Sequence, residues 1–375
     1  MSGTRSIAHM PSPLRSCVRA LREDVGWSQT RLAELVGLTR QSLAAIENGD
    51  AVPSTEVALR LGRAFGVPVE ELFRLEDVPR PTELVESAGI GGSLPGRVRI
   101  ATVGGRRVAY GLDLSTTSGT PTADGLGEPD ESGRVRLSPF AERPPAPDLV
   151  VAGCDPAFGL VRERLQREHG LEVLWLRTGS RAALEALARG VVHVAGLHLE
   201  DPQSGAYNGP WIERLAPFPT TRFGFAIWQQ SILLAPGNPL GVRGVTDLAR
   251  PDLRFVNREP GSGSRALVER ALARCGVDGA AIPGYLDTSA DGHETVARAV
   301  ASGAAHAGVA IQAVGHALDL ATIPLAEEPY ELVVPNHFLE LPGVHALLGV
   351  LRRPAVREQV EALTGYDAVA MGRAV

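Results

Sequence analysis

Apolar residues recur at helical spacing between Leu14 and Phe73: Leu14, Val18 and Leu21, then Leu32 and Leu35, then Leu43 and Ile46, then Val57, Leu61 and Phe65. Five short amphipathic helices fit that span. Residues 76–95 lose the period and gain Pro and Gly, which marks a linker. Arg97 to Leu112 alternates polar and apolar positions on either side of Gly104-Gly105, predicting a β-hairpin. Residues 113–147, rich in Gly, Pro, Ser, Thr and Asp, read as a long loop with one strand near Val135 to Leu137. From Leu149 onward, apolar strands such as LVVAG, EVLWL and VVHVAGLH alternate with helices, the pattern of a largely parallel sheet with helices on its faces.

The C-terminal region repeats itself. TGSRAALEALARGVVHVAG from Thr178 matches DGHETVARAVASGAAHAGV from Asp291, with Ser180 ten residues before Gly190 and His293 ten before Gly303. Both copies continue Gly-x-x-His into an apolar strand, and LVRERL at Leu160 matches LVERAL at Leu267. A duplicated α/β unit, with extended segments such as FAIWQQSILLAPGNP between the halves, predicts two lobes joined by crossing strands. The expected binding cleft lies between them, beyond the carboxyl ends of the strands.

The predicted segments are a disordered leader (1–12), an all-α head (13–76), a linker with a small β-hairpin module (77–147), and a two-lobed α/β domain (148–375). Bulk properties agree with such a multi-domain chain: 375 residues, 44% hydrophobic and 21% charged, suit folded domains. A formal net charge of -6 argues against non-specific coating of nucleic acid, so any DNA contact must be local. The sequence shows neither a long apolar run nor a secretory h-region, which predicts a cytoplasmic protein without membrane attachment. Cys17, Cys154 and Cys275 are scattered without metal-ligand spacing and read as reduced, mostly buried thiols, with no metal site.

Trp27 to Gly49 carries the marks of a helix-turn-helix. Ser28 and Thr39 are placed to cap two helices, Gly37 to make the turn between them, and Gly49 to end the second. Thr39, Arg40, Gln41 and Ser42 then stand at the N-terminal end of the second helix, where side chains reach base edges; Arg40 suits guanine and Gln41 adenine. Gln29 and Asn48 are better placed for phosphates. The segment, with Gln29-Thr30-Arg31-Leu32-Ala33, Gly37-Leu38 and Ile46-Glu47-Asn48-Gly49, resembles the Cro/repressor (XRE) family. That resemblance implies double-stranded operator DNA as a partner and homodimeric binding to a two-fold site.

A second constellation suits an anion. Asn257-Arg258-Glu259-Pro260-Gly261-Ser262-Gly263-Ser264-Arg265 leads from a strand into a helix, where backbone N–H groups, the Ser264 hydroxyl and the Arg265 fork can meet negative charge. Without a terminal Lys-Ser/Thr it is not a Walker loop, and no catalytic dyad or nucleophile elbow stands out, so no enzyme is predicted. The repeat supplies the facing wall, Thr178-Gly179-Ser180 and Asp291-Gly292-His293. Ser180 is a good N-cap whatever the cleft holds, and His293 can be a cap or a ligand. Asp155 enters after the first strand and would repel an anion unless it caps a helix. His198, Tyr207 and Val309 complete the candidate set from strands and strand-end loops; His193 and His306 read as structural.

From Leu149 to about Val369 the segments AGCDPAF, AGLHLEDPQSGAYN, LAPGNPLGV, FVNREPGSGSR, HETVARAVASG, EPYELVVP and TGYD resemble a periplasmic-binding-protein-like (type II) sensor domain. The resemblance implies no resident cofactor and an effector ligand such as molybdate or tungstate, with a pterin or small acid as the alternative. Ser264 keeps the hydroxyl of the Thr usual in its loop, whereas Gly292 lacks that of the Thr usual before the His. The whole reads as a ligand-responsive transcriptional regulator. An accessory role in molybdenum cofactor biosynthesis is a further alternative.

Overall fold

The computed structural model describes residues 14–75, 82–113, 121–287 and 289–375, so the expected leader at 1–12 lies outside the described residues. The chain forms two compact units, Met1–Pro81 and Thr82–Val375.

In the first unit, β1 (Leu14–Ser16) pairs antiparallel with β2 (Phe73–Leu75) and ties together the ends of the helical head. Between them run α1 (Val18–Asp24), α2 (Gln29–Val36), α3 (Arg40–Asn48), α4 (Thr55–Phe65) and α5 (Val69–Leu72). The caps are those the sequence offers. Ser28, Thr39 and Ser54 accept from the N–H of Arg31, Ser42 and Val57, and Gly37, Gly49 and Gly66 end their helices in the left-handed conformation. Val18, Leu32, Leu43, Leu61 and Leu72 are wholly buried at the centre. The buried Arg22–Glu47 pair, at 2.6 Å, ties α1 to the end of α3.

The linker expectation is corrected. Five strands, β3 (Glu83–Gly91), β4 (Gly96–Val103), β5 (Arg106–Gly111), β6 (Gly125–Pro129) and β7 (Val135–Pro139), form a closed barrel in the order β3-β5-β4-β6-β7. The expected hairpin is β4–β5 and the expected strand is β7. Strand β6, GLGEP, gave no alternation because two inward positions are glycines: a Cβ on Gly125 would lie 2.3 Å from the Ser138 carbonyl, and one on Gly127 2.5 Å from Val98. The barrel is docked on the next domain within the same unit. Tyr110 donates to the Val191 carbonyl at 2.5 Å, Arg106 to the Gly190 carbonyl at 2.6 Å, and Arg189 to the Ala88 carbonyl at 2.8 Å.

The remaining elements are β8 (Leu149–Gly153), α6 (Phe158–His169), β9 (Val173–Arg177), α7 (Ser180–Ala188), β10 (Val194–Leu197), α8 (Gly209–Leu215), β11 (Thr220–Leu234), β12 (Phe255–Arg258), α9 (Gly263–Arg274), β13 (Ser289–Ala290), α10 (His293–Ala301), β14 (Ala307–Ile311), α11 (Gln312–His316), β15 (Ala321–Pro335), α12 (Pro342–Leu351), α13 (Pro354–Glu361) and β16 (Tyr366–Asp367). Their sheet runs β13-β12-β14-β11-β15-β10-β8-β9, with β16 beside β11. Each lobe is a parallel triplet, β10-β8-β9 in lobe one and β13-β12-β14 in lobe two. The long antiparallel strands β11 and β15 are the expected crossovers. The repeat extends to its hydrogen bonds: His193 accepts at Nδ1 from the N–H of Val150 in β8, and His306 from that of Arg254 just before β12, both at 3.0 Å. Both are therefore structural, as expected.

Candidate ligand site and DNA-reading surface

Strands β8, β9, β12 and β13 end on one side of the sheet. There a cavity of about 260 Å³ opens, lined by Cys154, Arg177, Thr178, Gly179, Arg258, Glu259, Asp291 and Gly292 of the two lobes and by Gly91, Ser93 and Asp113 of the barrel. The helix starts at Gly179 and Gly292 thus face one space, as the repeat predicted. Gly292 has φ 101°, a conformation costly for any residue with a Cβ, which accounts for glycine before His293. Arg177 and Arg258 bring positive charge but are already paired, Arg177 with Glu294 at 2.5 Å and Arg258 with Glu259 at 2.6 Å.

The first side chain of each of these helices turns inward. Ser180 Oγ accepts from the His198 N–H at 3.1 Å, and His293 Nδ1 accepts from the Ile311 N–H at 3.4 Å. Arg258 also donates to His293 Nδ1, at 3.1 Å, so the remaining proton of a neutral ring sits on Nε2. Burial, reinforced by Arg258 and His198, holds the His293 pKa well below the usual histidine value.

His198 lies opposite. Its Nδ1 is 2.9 Å from Glu328 Oε2, which also accepts from Gln230 at 3.0 Å. Burial opposes charge on this ring, but Cys154 and Glu328 outweigh it and push its pKa up to about 10. Trp228 packs edge-on to both rings, at 4.9 Å from His198 and 5.3 Å from His293. The Nε2 atoms of His198 and His293 are buried without a hydrogen-bond partner, and one ring nitrogen of each histidine and Cys154 Sγ lie within 4.8 Å of one another.

This cluster has the residue types of a metal centre, and His198 backed by a carboxylate has the usual outer partner of a metal-bound histidine. His293 does not fit. Its Nδ1 is taken by two donors, so Nε2 holds the proton a metal would need removed, and the buried guanidinium of Arg258 disfavours an added cation.

Other predicted residues serve structure. Asp155 caps the entry to α6, accepting from Ala157 N–H at 2.8 Å and Tyr366 at 2.7 Å; burial pushes its pKa up to about 7. Asn257 binds the Tyr285 carbonyl and the Arg258 N–H. The Ser264 hydroxyl takes the Gln230 amide at 2.9 Å. Arg265 is corrected as a cleft residue, because it turns to Glu269 and the Arg258 carbonyl. Val309 is corrected likewise: it is a core residue of lobe two, packed with Ile232 and Phe255. Tyr207 donates to Glu200 and Glu328, behind His198. Gly263 seats lobe two on lobe one, since a Cβ there would lie 2.4 Å from the His198 ring. Arg177 was given no role and Cys154 only that of a buried thiol, although their places at strand ends pointed to the cleft. Glu328, on a crossing strand, had no local signal.

In the head, Thr39, Arg40, Gln41 and Ser42 are exposed at the start of α3. Thr39 and Ser42 share a hydroxyl contact at 2.8 Å, so part of their capacity is spent on the cap. Gln29 donates to Glu47 at 2.9 Å and accepts from Arg40 at 3.5 Å, and Asn48 accepts from Arg19.

These two sites coincide with two known domains. Residues 162–352 match the PBP superfamily domain and residues 18–72 the helix-turn-helix family. YvgK of Bacillus subtilis (strain 168) is 30% identical over 63% of this chain and 76% of its own length. The HTH-type transcriptional regulator YgzD of the same organism is 47% identical over 17% of this chain and 97% of its own. Among solved structures, a putative phosphate ABC transporter substrate-binding protein with bound phosphate from Clostridium perfringens aligns at TM-score 0.44 and 12% identity, over 57% of this chain and 96% of that one. A tungstate ABC transporter from Geobacter sulfurreducens aligns at 0.43 and 14%, over 57% and 97%. The chain belongs to the PBP superfamily and carries an XRE-type helix-turn-helix at its N-terminal end.

Proposed function

We propose that the chain is a cytoplasmic, ligand-controlled transcriptional regulator, in which a small anion held between the lobes of the second unit changes the affinity of the head for operator DNA. The observation that carries the ligand class is the cavity with two helix starts, Gly179 and Gly292, beside Arg177 and Arg258. Molybdate and tungstate are the oxyanions the sequence resemblance favours. A small organic acid is the second reading, favoured by Glu259, Asp291 and Asp113 in the same lining, since carboxylates suit a ligand that also carries donor groups.

Control of DNA binding requires that the anion prefer one lobe arrangement over another and that the two arrangements differ in DNA affinity. Recognition through Arg40 and Gln41 on one short helix per chain fits a homodimer on a two-fold operator. Among the described residues no helix is long and apolar enough to cross a membrane.

The test is a calorimetric and thermal-shift panel of molybdate, tungstate, sulfate, phosphate and small organic acids on the full chain. Binding of one anion per chain, weakened about tenfold or more by Arg258→Gln or His293→Ala, is the expected result. No response to any anion overturns the reading.

A further inference from the structure

The anion reading draws on His293 but leaves Cys154, His198 and Glu328 of the buried cluster beneath the cavity unused, and these match a nucleophile, its proton partner and an orienting carboxylate. Cys154 is 5% exposed, yet it belongs to the cavity wall, where a bound anion would touch it. His198 Nε2 and His293 Nε2, one from each lobe, are buried without a hydrogen-bond partner, and each imidazole brings a ring nitrogen within 4.8 Å of the Cys154 sulfur. Glu328 holds His198 from behind, as the third member of such a constellation does. Separations looser than a hydrogen bond are usual for these groups before a ligand arrives. The other charged or titratable groups around the sulfur are Arg258, Asp155, Tyr330 and Tyr366.

Resting on the anion reading above, we propose that Cys154 is a nucleophilic thiol that captures a small anionic carbonyl compound, an aldehyde or α-oxo acid, as a reversible covalent adduct on the cavity floor. The sulfur adds to the carbonyl carbon, a C–S bond forms, and the C=O π pair moves onto oxygen. The single proton shared by Cys154 Sγ and His198 Nε2 ends on that oxygen, giving a hemithioacetal or hemithioketal with no further reactant. His293 Nε2–H is the second donor to the developing oxygen. The anionic end of the ligand rests against Arg177, Arg258 and the two helix starts. Because His198 and His293 come from different lobes, the adduct oxygen would join them.

The experiment uses the full chain with Cys17→Ser and Cys275→Ser, so that Cys154 is the one thiol. Iodoacetate is expected to alkylate Cys154 about tenfold faster than iodoacetamide, because its carboxylate would take the anion's place at the two helix starts beside Arg177 and Arg258 and so reverse the order shown by free thiols. Glyoxylate labelled with carbon-13 at its aldehyde is expected to slow that alkylation and to give a protein-bound tetrahedral carbon signal that Cys154→Ser lacks. His198→Gln should cut the alkylation rate about tenfold, and should lose the adduct signal, while circular dichroism confirms folding. Iodoacetate no faster than iodoacetamide, no bound carbon signal, or a metal ion isolated one per chain and lost with Cys154→Ser would each overturn the proposal. Oxyanion binding without a glyoxylate adduct breaks this inference alone; absence of all anion binding breaks the reading on which it rests.

Discussion

Ser180 and His293 hold the same place in the two lobes. Each opens a helix, faces the cleft from behind a glycine, and accepts from a backbone N–H eighteen residues downstream, His198 and Ile311 respectively. The duplicated fold therefore uses both side chains for one purpose, pinning a helix start to the end of the following strand. The difference lies in what remains. The serine hydroxyl is occupied by its clamp, whereas the imidazole keeps Nε2 without a partner and clusters with Cys154 and His198. A second lobe that is structurally redundant can thus carry chemistry the first does not.

Twin substitutions across the lobes break or sharpen that contrast. The largest expected effect comes from His193, whose pKa burial lowers to about 4, because its Nδ1 must stay unprotonated to accept from Val150. Its unfolded pKa is about 6.5, so the stability it contributes is full above that value and is lost as pH falls toward 4, by about 3 kcal/mol. Denaturant titrations at pH 7 and pH 4 should show this loss, His193→Gln should abolish most of the dependence, and His306→Gln should leave it in place.

Next is Gly263→Ala, which drives a Cβ into the His198 ring and its backbone oxygen and should cost about 2–3 kcal/mol or prevent lobe closure. Gly159→Ala in the matching helix α6 meets only a Trp175 carbon at 4.0 Å and should be neutral or slightly stabilising in thermal melts. The smallest stability effect is the clamp itself. Ser180→Ala and His293→Ala should each lose about 1 kcal/mol for the backbone hydrogen bond. Calorimetry should then separate the twins, with His293→Ala weakening anion binding more than Ser180→Ala. Equal effects would remove the asymmetry between lobes.

For the head, Arg40→Ala and Gln41→Ala should relax base preference by about 1–3 kcal/mol at one position each, whereas Gln29→Ala should weaken all sequences alike. Selection from a randomised duplex pool reads both outcomes.

The head was legible because its geometry is local. Each cap and turn, from Ser28 to Gly49, is set within four residues of the group it satisfies, and the exposed start of α3 follows from them. The two lobes were legible because the duplication repeats itself in sequence. The barrel was not, since β6 keeps its place by glycines that give no alternation. The cluster under the cavity was equally hidden. Cys154 just after β8, His198 just after β10, His293 on α10 and Glu328 on β15 are far apart in sequence, and only the sheet order β12-β14-β11-β15-β10-β8 brings them together. Ser264 and Arg265, at the start of α9, looked like anion ligands by type, yet their hydrogen bonds are spent on Gln230 and Glu269.

The central claim, that cleft occupancy sets operator affinity, is tested most directly by fluorescence anisotropy of the full chain on its selected operator, with the cavity empty and then saturated by the anion that calorimetry identifies. A change of about fivefold or more in DNA affinity, absent from Arg258→Gln at the same anion concentration, is the predicted result. Identical affinity with the cavity empty and full would contradict the account.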